Sequence, residues 1–363
     1  TVPFARYVVE NANELDFPFK RYQIQKVWRG ERPQDGRFRE FTQADIDVVG
    51  LGELPFHYEV DLPLVMAEAL MSLPIPPVHV LVNNRKVVQG VCEGIGVSDV
   101  ESALRGLDKL DKIGPEGVSE ELAEAWLSPE QIDILLRMAK IRTEDASRLQ
   151  QEVAALGVSS ETLDQGLTEL CALVDEANAA MPGVIIADLK IARGLDYYTG
   201  SVYESEIVGH EDLGSICSGG RYDSLAKDGK RTYPGVGLSI GVSRLVSRIL
   251  SQDMVSASRK VPTCVVIAVA DESERRHCNA LATILRRRGI PTDVAPSAAK
   301  FGKQIKFADK RGIPFVWFPG SDGSADTVKD IRSGEQVEAD IYSWQPPEDD
   351  VRPAIRPTDE TDF

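Results

Sequence analysis

From about Cys92 to Asn178 the chain carries helical periodicity, and strand-forming sequence stands on both sides of it. This run constrains the fold more than any other feature. A sheet built from the flanks must close around a helical segment inserted between its own strands. The helix starts are legible. "SDVESALRGLDKL" predicts a helix with Ser98 as N-cap and Glu101 completing a capping box. "SPEQIDILLRMAKI" places Ser128 before Pro129, which a first helical turn accepts. "SSETLDQGLTELCALVDEANAA" repeats that logic with Glu161, and Leu163, Leu167, Leu170, Leu173 and Val174 recur at helical spacing.

On the N-terminal flank, "RYQIQKVWRG" alternates through Tyr22 and Ile24 and, after one slip, Val27 and Trp28. "FTQADIDVVG" follows, and "ERPQDGRF" between them supplies Pro33, Asp35 and Gly36. The pattern predicts an antiparallel hairpin with a long basic loop. Residues 62–73 have helical spacing, and "PPVHVLVNN" reads as a strand. Strands return at "GVIIADLKIAR", "SVYESEIV" and "GSICSGGRYD", and "YPGVGLSIGVSRLVSRIL" is a glycine-bearing strand running into a helix. After a boundary at "SASRKVP", residues 262–345 alternate strand and helix as a βαβαβ unit. The Pro-rich acidic end, "WQPPEDDVRPAIRPTDETDF", predicts a disordered tail. The expected class is α+β. A core comes from residues 1–90 and 180–257, a helical insertion from 91–179, an α/β domain from 261–345 and an acidic tail from 346–363.

Charge and cysteines narrow the function. No apolar run is long enough to span a membrane, and the given sequence, which starts at Thr1, shows no signal-peptide pattern. The five cysteines form no C-x-x-C pair, and the four histidines form no metal-ligand pattern, which predicts a reducing cytoplasm and no structural zinc. A net charge of −16 argues against nucleic acid as a partner. However, residues 90–180 hold 19 acidic and 7 basic side chains, so the excess is concentrated there. Residues 1–50 and 261–345 are close to neutral with clustered cations, leaving local positive surface for a polyanion.

Four stretches set arginine beside glycine or aromatic residues. In "WRGERPQDGRFREF", Arg29 and Glu31 share a strand face and suit a phosphate and an exocyclic amine, or form a solvated charged hairpin. In "ARGLDYYTG", Arg193 either pairs with Asp196 or awaits an anionic ligand. The glycines of "SGGRYDSL" permit close backbone approach or simply a bulge. In "GVGLSIGVSRL", alternate glycines leave an open strand face on which a flat ring could rest, and Arg244 stands where strand becomes helix. A P-loop is absent.

Taken in this order, the motifs resemble the histidyl-tRNA synthetases, a class II aminoacyl-tRNA synthetase family. "VWRGERPQDGRFREFTQADIDVVG" resembles motif 2, "GVGLSIGVSRL" motif 3, and "ARGLDYYTGSVYE" and "SGGRYD" the two stretches peculiar to the histidine enzymes. The resemblance runs from Thr1 to about Trp344. It implies a class II antiparallel-sheet catalytic core with a helical insertion, a C-terminal α/β anticodon-binding domain, and a cytoplasmic homodimer. The implied partners are histidine, ATP with Mg2+, and histidine tRNA. The implied reaction forms histidyl-adenylate and transfers histidine to the tRNA 3′ end.

By motif position, Arg29 and Arg193 would be catalytic. Arg29, Glu31, Arg37 and Arg244 would bind ATP, and Thr1, Gln43, Asp47, Arg193, Tyr197 and Tyr198 would bind histidine. Thr1 and Gln43 would take the amino group, and Asp47 and Tyr198 the imidazole. No protein motif supplies metal ligands. Arg286, Arg287 and Arg288, with Lys300, Lys303, Lys306 and Lys310, suit a phosphate backbone. The family's motif 1 is not found in the sequence, nor is the acidic residue that normally precedes the threonine. Ser243 stands where a glutamate usually precedes the motif 3 arginine. The competing class is a non-catalytic relative, the regulatory subunit of ATP phosphoribosyltransferase. That protein shares the core, lacks the C-terminal domain and degrades the arginines, whereas this chain keeps both. A third class is a stand-alone tRNA- or protein-binding module on the same fold.

Overall fold

A helix that the sequence pattern did not reveal opens the described chain. The computed structural model describes residues 2–30, 38–192, 197–229, 231–321 and 323–358, in two units that divide after Gln252. In α1 (Val2–Asn11), Phe4, Ala5 and Val8 face inward and pack with Val49 and Tyr233. The predicted hairpin follows as β1 (Phe19–Trp28) and β2 (Glu40–Val49), paired antiparallel from Phe19–Val49 to Trp28–Glu40. Then come α2 (His57–Met71) and β3 (Val78–Asn84). The helical run comprises α3 (Arg85–Gly94), α4 (Val100–Leu107), α5 (Leu110–Glu124), α6 (Pro129–Met138), the two-residue β4 (Arg142–Thr143), α7 (Ala146–Ala154) and α8 (Glu161–Ala180). The unit closes with β5 (Ile185–Asp188), β6 (Ser201–Ile207), β7 (Cys217–Tyr222), β8 (Lys227–Asp228), β9 (Arg231–Thr232), β10 (Gly235–Ile240) and α9 (Val242–Ser251).

Among the described residues the main sheet has the order β1-β2-β10-β7-β6-β3-β5-β4. Its pairs are antiparallel except β3 with β5. Parallel neighbours need a crossover connection, and the helical run between β3 and β5 provides it. It is also stitched to the sheet. β4 pairs with β5, and Arg142 bridges Asp188 at 3.3 Å and also meets Glu206. Helices α3 and α8 cross closely because two glycines allow it. A Cβ on Gly90 would lie 2.2 Å from Leu163 N, and one on Gly166 would lie 2.6 Å from Val87 N.

The caps refine the sequence reading. Ser128 forms a full capping box with Gln131, and Ser160 caps α8 by accepting the Leu163 N–H. At α4 the expectation of Ser98 is corrected: Asp99 is the N-cap, and its carboxylate accepts the Ser102 N–H at 3.0 Å. Aspartate serves this position as well as serine does, so the helix begins one residue later.

The second unit contains β11 (Val255–Ala257), β12 (Val265–Ile267), α10 (Arg275–Arg287), β13 (Thr292–Val294), α11 (Phe301–Arg311), β14 (Phe315–Phe318), β15 (Thr327–Asp330), β16 (Gln336–Glu338), α12 (Glu348–Val351) and β17 (Ile355–Pro357). Parallel β13-β12-β14 realise the βαβαβ rhythm, and β15-β16 extend the sheet as an antiparallel hairpin. Its core gathers around buried Val265, Val266, Ile267, Leu285, Val316 and Trp317.

The expected disordered tail is structured as far as it is described, to Thr358. β17 pairs with β11, and Arg332 reaches Asp350 at 2.7 Å. The buried Arg259 guanidinium donates to the Asp350 and Val351 carbonyls at 2.9 and 3.1 Å. Composition missed these partners because Arg259 lies about 90 residues upstream and Arg332 18 residues upstream. Residues 359–363 lie outside the described residues. Among the described residues no helix is long and apolar enough to cross a membrane. All five cysteines are buried and free.

Candidate active site

Residues directly opposite one another in an antiparallel sheet share a face, and three such rows build one floor. Phe19, Val49, Gly235 and Tyr222 form the first row. Arg21, Asp47, Gly237 and Gly220 form the second, and Gln23, Asp45, Ser239 and Ser218 the third. Above this floor lies a cavity of about 860 Å³, with Phe4 of α1, Gln43, Tyr197 and Tyr198 also on its wall. Phe19, Arg21, Gln23, Gln25 and Val27, alternate residues of β1, line the cavity. Tyr22 and Ile24, between them, are 78% and 67% exposed and are not among its lining residues. Alternation predicted the strand, and the site decided which face turned inward.

Asp47 is clamped. Arg21 Nη2 lies 2.6 Å from Oδ2, and the Tyr222 hydroxyl donates to Oδ1 at 2.9 Å. Beneath it, a Cβ on Gly237 would lie 2.1 Å from Oδ1. The glycines of β10 therefore make room for the protein's own carboxylate and for the Tyr222 ring, which a Cβ on Gly235 would meet at 2.5 Å. Burial pushes the Asp47 carboxyl up to about 6, and the neighbouring Arg21 cation and Tyr222 hydrogen bond only partly offset it. Arg21 itself stacks on Phe4, with its guanidinium carbon 4.0 Å from the ring centroid. Sequence reading missed Arg21 and Tyr222. Their positions in the Asp47 and Gly235 rows identify them once strand register is known.

Tyr197 and Tyr198 meet hydroxyl to hydroxyl at 3.2 Å. Burial, and then the neighbouring Tyr197, keep the Tyr198 phenol protonated by raising its pKa. A Cβ on Gly220 would strike the Tyr198 ring at 2.8 Å, so that glycine seats the ring. Arg29 lines the same cavity with its guanidinium 5.2 Å from the Phe41 ring centroid.

Five of the expected site residues, Arg29, Gln43, Asp47, Tyr197 and Tyr198, thus line one cavity. Arg244 is not among its lining residues, and Nη2 donates to the Leu213 carbonyl at 2.6 Å. Thr1, Glu31, Arg37 and Arg193 lie outside the described residues. Arg221 of "SGGRYD" is structural, since it reaches the buried Glu59 at 2.7 Å and Asp223 at 3.1 Å. Ser243 Oγ accepts the Thr42 N–H at 2.9 Å. β10 has ended at the Ile240–Ala44 pair, so this hydroxyl replaces a missing strand partner. Among the described residues no group of three metal-type ligands occurs.

Comparison with known proteins identifies the family. The family model described as histidyl-tRNA synthetase matches residues 1–245, and that described as anticodon binding domain matches residues 263–343. The histidine–tRNA ligase of Micrococcus luteus is 58% identical over 98% of this chain and 78% of its own length. The crystal structure of histidyl-tRNA synthetase from Nostoc sp. PCC 7120 superposes with a TM-score of 0.83 at 36% identity, covering 93% of this chain and 80% of that one. A structure from Bacillus halodurans C described as an ATP phosphoribosyltransferase regulatory subunit/histidyl-tRNA synthetase is 19% identical, covers 84% of this chain and 76% of that one, and has a TM-score of 0.66, which shows the fold alone. The class II core and the second unit match those of its relatives, and the chain belongs to the histidyl-tRNA synthetase family.

Proposed function

We propose that the chain is a histidine–tRNA ligase that activates histidine with ATP and transfers it to the 3′ end of histidine tRNA. The convergence of Gln43, Asp47, Tyr197 and Tyr198 on a cavity that also holds Arg29 supports this most directly. Asp47 accepts an imidazole N–H, and the protonated Tyr198 phenol donates or accepts at the other nitrogen. The residues that clamp Asp47 fix its direction, which suits recognition of a polar ring over apolar amino acids.

In the first step a substrate carboxylate oxygen attacks the α-phosphorus of ATP, and the bond to pyrophosphate breaks. Both reacting groups are anionic, so fixed cations lower their repulsion and stabilise charge in the transition state. Arg29 is proposed for the α-phosphate, and Arg193 is the second catalytic cation. Glu31 and Arg37 would take the adenine amine and phosphates, Arg244 the far end of the triphosphate after leaving Leu213, and Thr1 with Gln43 the amino group. Mg2+ would arrive with ATP.

Residues 1–90 and 180–257 would form the catalytic core, 91–179 an insertion, and 261–345 the anticodon-binding domain. In that domain Lys303, Lys306 and Lys310 are exposed along α11 and suit a phosphate backbone. Arg286 and Arg288 instead donate to the Thr292 and Ile341 carbonyls. A cytoplasmic homodimer fits the exposed Tyr22, Ile24 and Trp28 on the edge strand β1.

Histidine-dependent exchange of pyrophosphate into ATP, followed by charging of histidine tRNA, tests the assignment. A folded protein that does neither would refute it, and exchange without charging would confine the activity to the first step.

A further inference from the structure

The linker 253–262 and the C-terminal segment 344–358 both fall outside the stretches matched to the two family models, and they are partners of one another. In the β11–β17 pair, Val255, Ser256 and Ala257 stand opposite Pro357, Arg356 and Ile355. The ladder runs on at both ends. The Thr358 N–H donates to the Met254 carbonyl at 3.0 Å, and the Ser258 N–H to the Ala354 carbonyl at 2.8 Å. The Ala354 N–H in turn donates to Ser258 Oγ at 2.9 Å.

Side chains fasten the same segments. Asp350 and Val351 end α12, where carbonyls have no intrahelical partner. The linker's Arg259 guanidinium donates to both. From the turn between β15 and β16, Arg332 grips the Asp350 carboxylate with two bonds, at 2.7 and 2.8 Å. The second unit thus holds the C-terminal segment through Arg332, and that segment holds the linker through Arg259 and β17. Ser256, Ala257, Ile355 and Arg356 are exposed, so the pairing adds little core. What it changes is the freedom of the linker. Helix α9 of the first unit ends at Ser251, which leaves 252–254 between it and β11. With the pairing open, the next backbone fastening is the Lys260 N–H on the Arg311 carbonyl at 3.3 Å, and the free stretch becomes 252–259.

We propose that the C-terminal segment is a strap that shortens the joint between the two units. It thereby raises the effective concentration of the second unit's nucleic-acid surface for a tRNA held by the first. This role rests on the reading of the chain as a histidine–tRNA ligase. Effective concentration falls roughly as the −3/2 power of linker length, so growth of the free stretch from 252–254 to 252–259 lowers it about fourfold.

The test uses the whole protein. The 254–358 and 258–354 pairs are hydrogen-bonded, so by alternation the 256–356 pair between them is too. Arg356→Pro removes a donor from that pair. It should speed trypsin cleavage after Arg259 at least tenfold and raise the KM for histidine tRNA in charging about fourfold. Histidine-dependent pyrophosphate exchange should stay within twofold of wild type. Ala257 and Ile355 face each other as a non-hydrogen-bonded pair, near enough for a disulfide. Ala257→Cys with Ile355→Cys, oxidised in the Arg356→Pro background, should reverse both effects, and reduction should bring them back. Wild-type cleavage in Arg356→Pro overturns the strap. Faster cleavage with an unchanged tRNA KM overturns its role in charging. Failure of the disulfide to restore either property overturns the proposal too, because the loss then comes from damage to the second unit. If the wild-type protein charges no histidine tRNA while the cleavage effect and its disulfide reversal hold, the ligase reading fails and the strap on the linker stands.

Discussion

Replacing Gly237 by alanine adds one methyl group at the centre of the cavity floor. That Cβ would lie 2.1 Å from Asp47 Oδ1 and 3.2 Å from the Ile46 carbonyl oxygen, whereas ordinary contacts fall at 3.4–4 Å. The backbone oxygen is held in the sheet, so the carboxylate must retreat by more than 1 Å. It is held by Arg21 at 2.6 Å and Tyr222 at 2.9 Å, and such a shift breaks at least one of these bonds. A buried hydrogen bond to a charged group is worth roughly 1.5–3 kcal/mol. Loss of unfolded-state freedom at alanine returns about 0.4–1 kcal/mol. A net destabilisation of about 1–2.5 kcal/mol is expected, together with a histidine KM raised roughly 5- to 70-fold if the same displacement is felt by the imidazole. The ATP KM should stay within twofold. Gly241→Ala is the control, since its added Cβ would meet neighbours at an ordinary 3.5 Å. Chemical denaturation and pyrophosphate exchange on both variants decide the matter. A Gly237→Ala protein with wild-type stability and wild-type histidine KM would show that Asp47 is not held where the structure places it.

Tyr198→Phe should raise the histidine KM by about 1–3 kcal/mol equivalent, with ATP KM little changed. Lost stability with an unchanged histidine KM would make the phenol a core contact instead. Ser243→Ala strands the Thr42 N–H and should cost roughly 1–3 kcal/mol of stability, with Ser243→Thr restoring most of it. An alanine variant as stable as wild type in denaturant would remove that role. Asp47 also predicts a pH dependence. Its folded pKa of about 6 lies above the ordinary 3.8, so its contribution to stability is present at low pH and is lost as pH rises through about 6. The shift is about two units, or roughly 3 kcal/mol. The stability difference between wild type and Asp47→Asn should change by that order between pH 4 and pH 7.5, measured by denaturant midpoints. A constant difference would exclude the burial argument.

Much of the fold was legible in the sequence, for local reasons. Strand alternation, the Ser128 helix start, the βαβαβ rhythm and the arginine-bearing motifs all depend on residues near one another in the chain. The same locality explains the misses. β1 was recognised as a strand, but alternation is symmetric between two faces, and only the sheet's assembly turned Arg21 and Gln23 to the cavity and left Tyr22 and Ile24 outside. Motif position named Asp47, yet Arg21 and Tyr222 come from strands on either side of the β2–β10 pair, and pairing register brought them to it. The arginines of the motifs looked alike in sequence. Arg29 faces the cavity, while Arg221 is spent on Glu59, because a guanidinium takes whichever acceptor the packed chain brings within reach. The tail read as disordered from its composition, but Arg259 and Arg332 supply partners from far upstream and nearby turns. Residue types and their local spacing thus determined the elements and the family's chemistry. Tertiary structure decided the charge balance of the site, because that depends on which distant groups share a face.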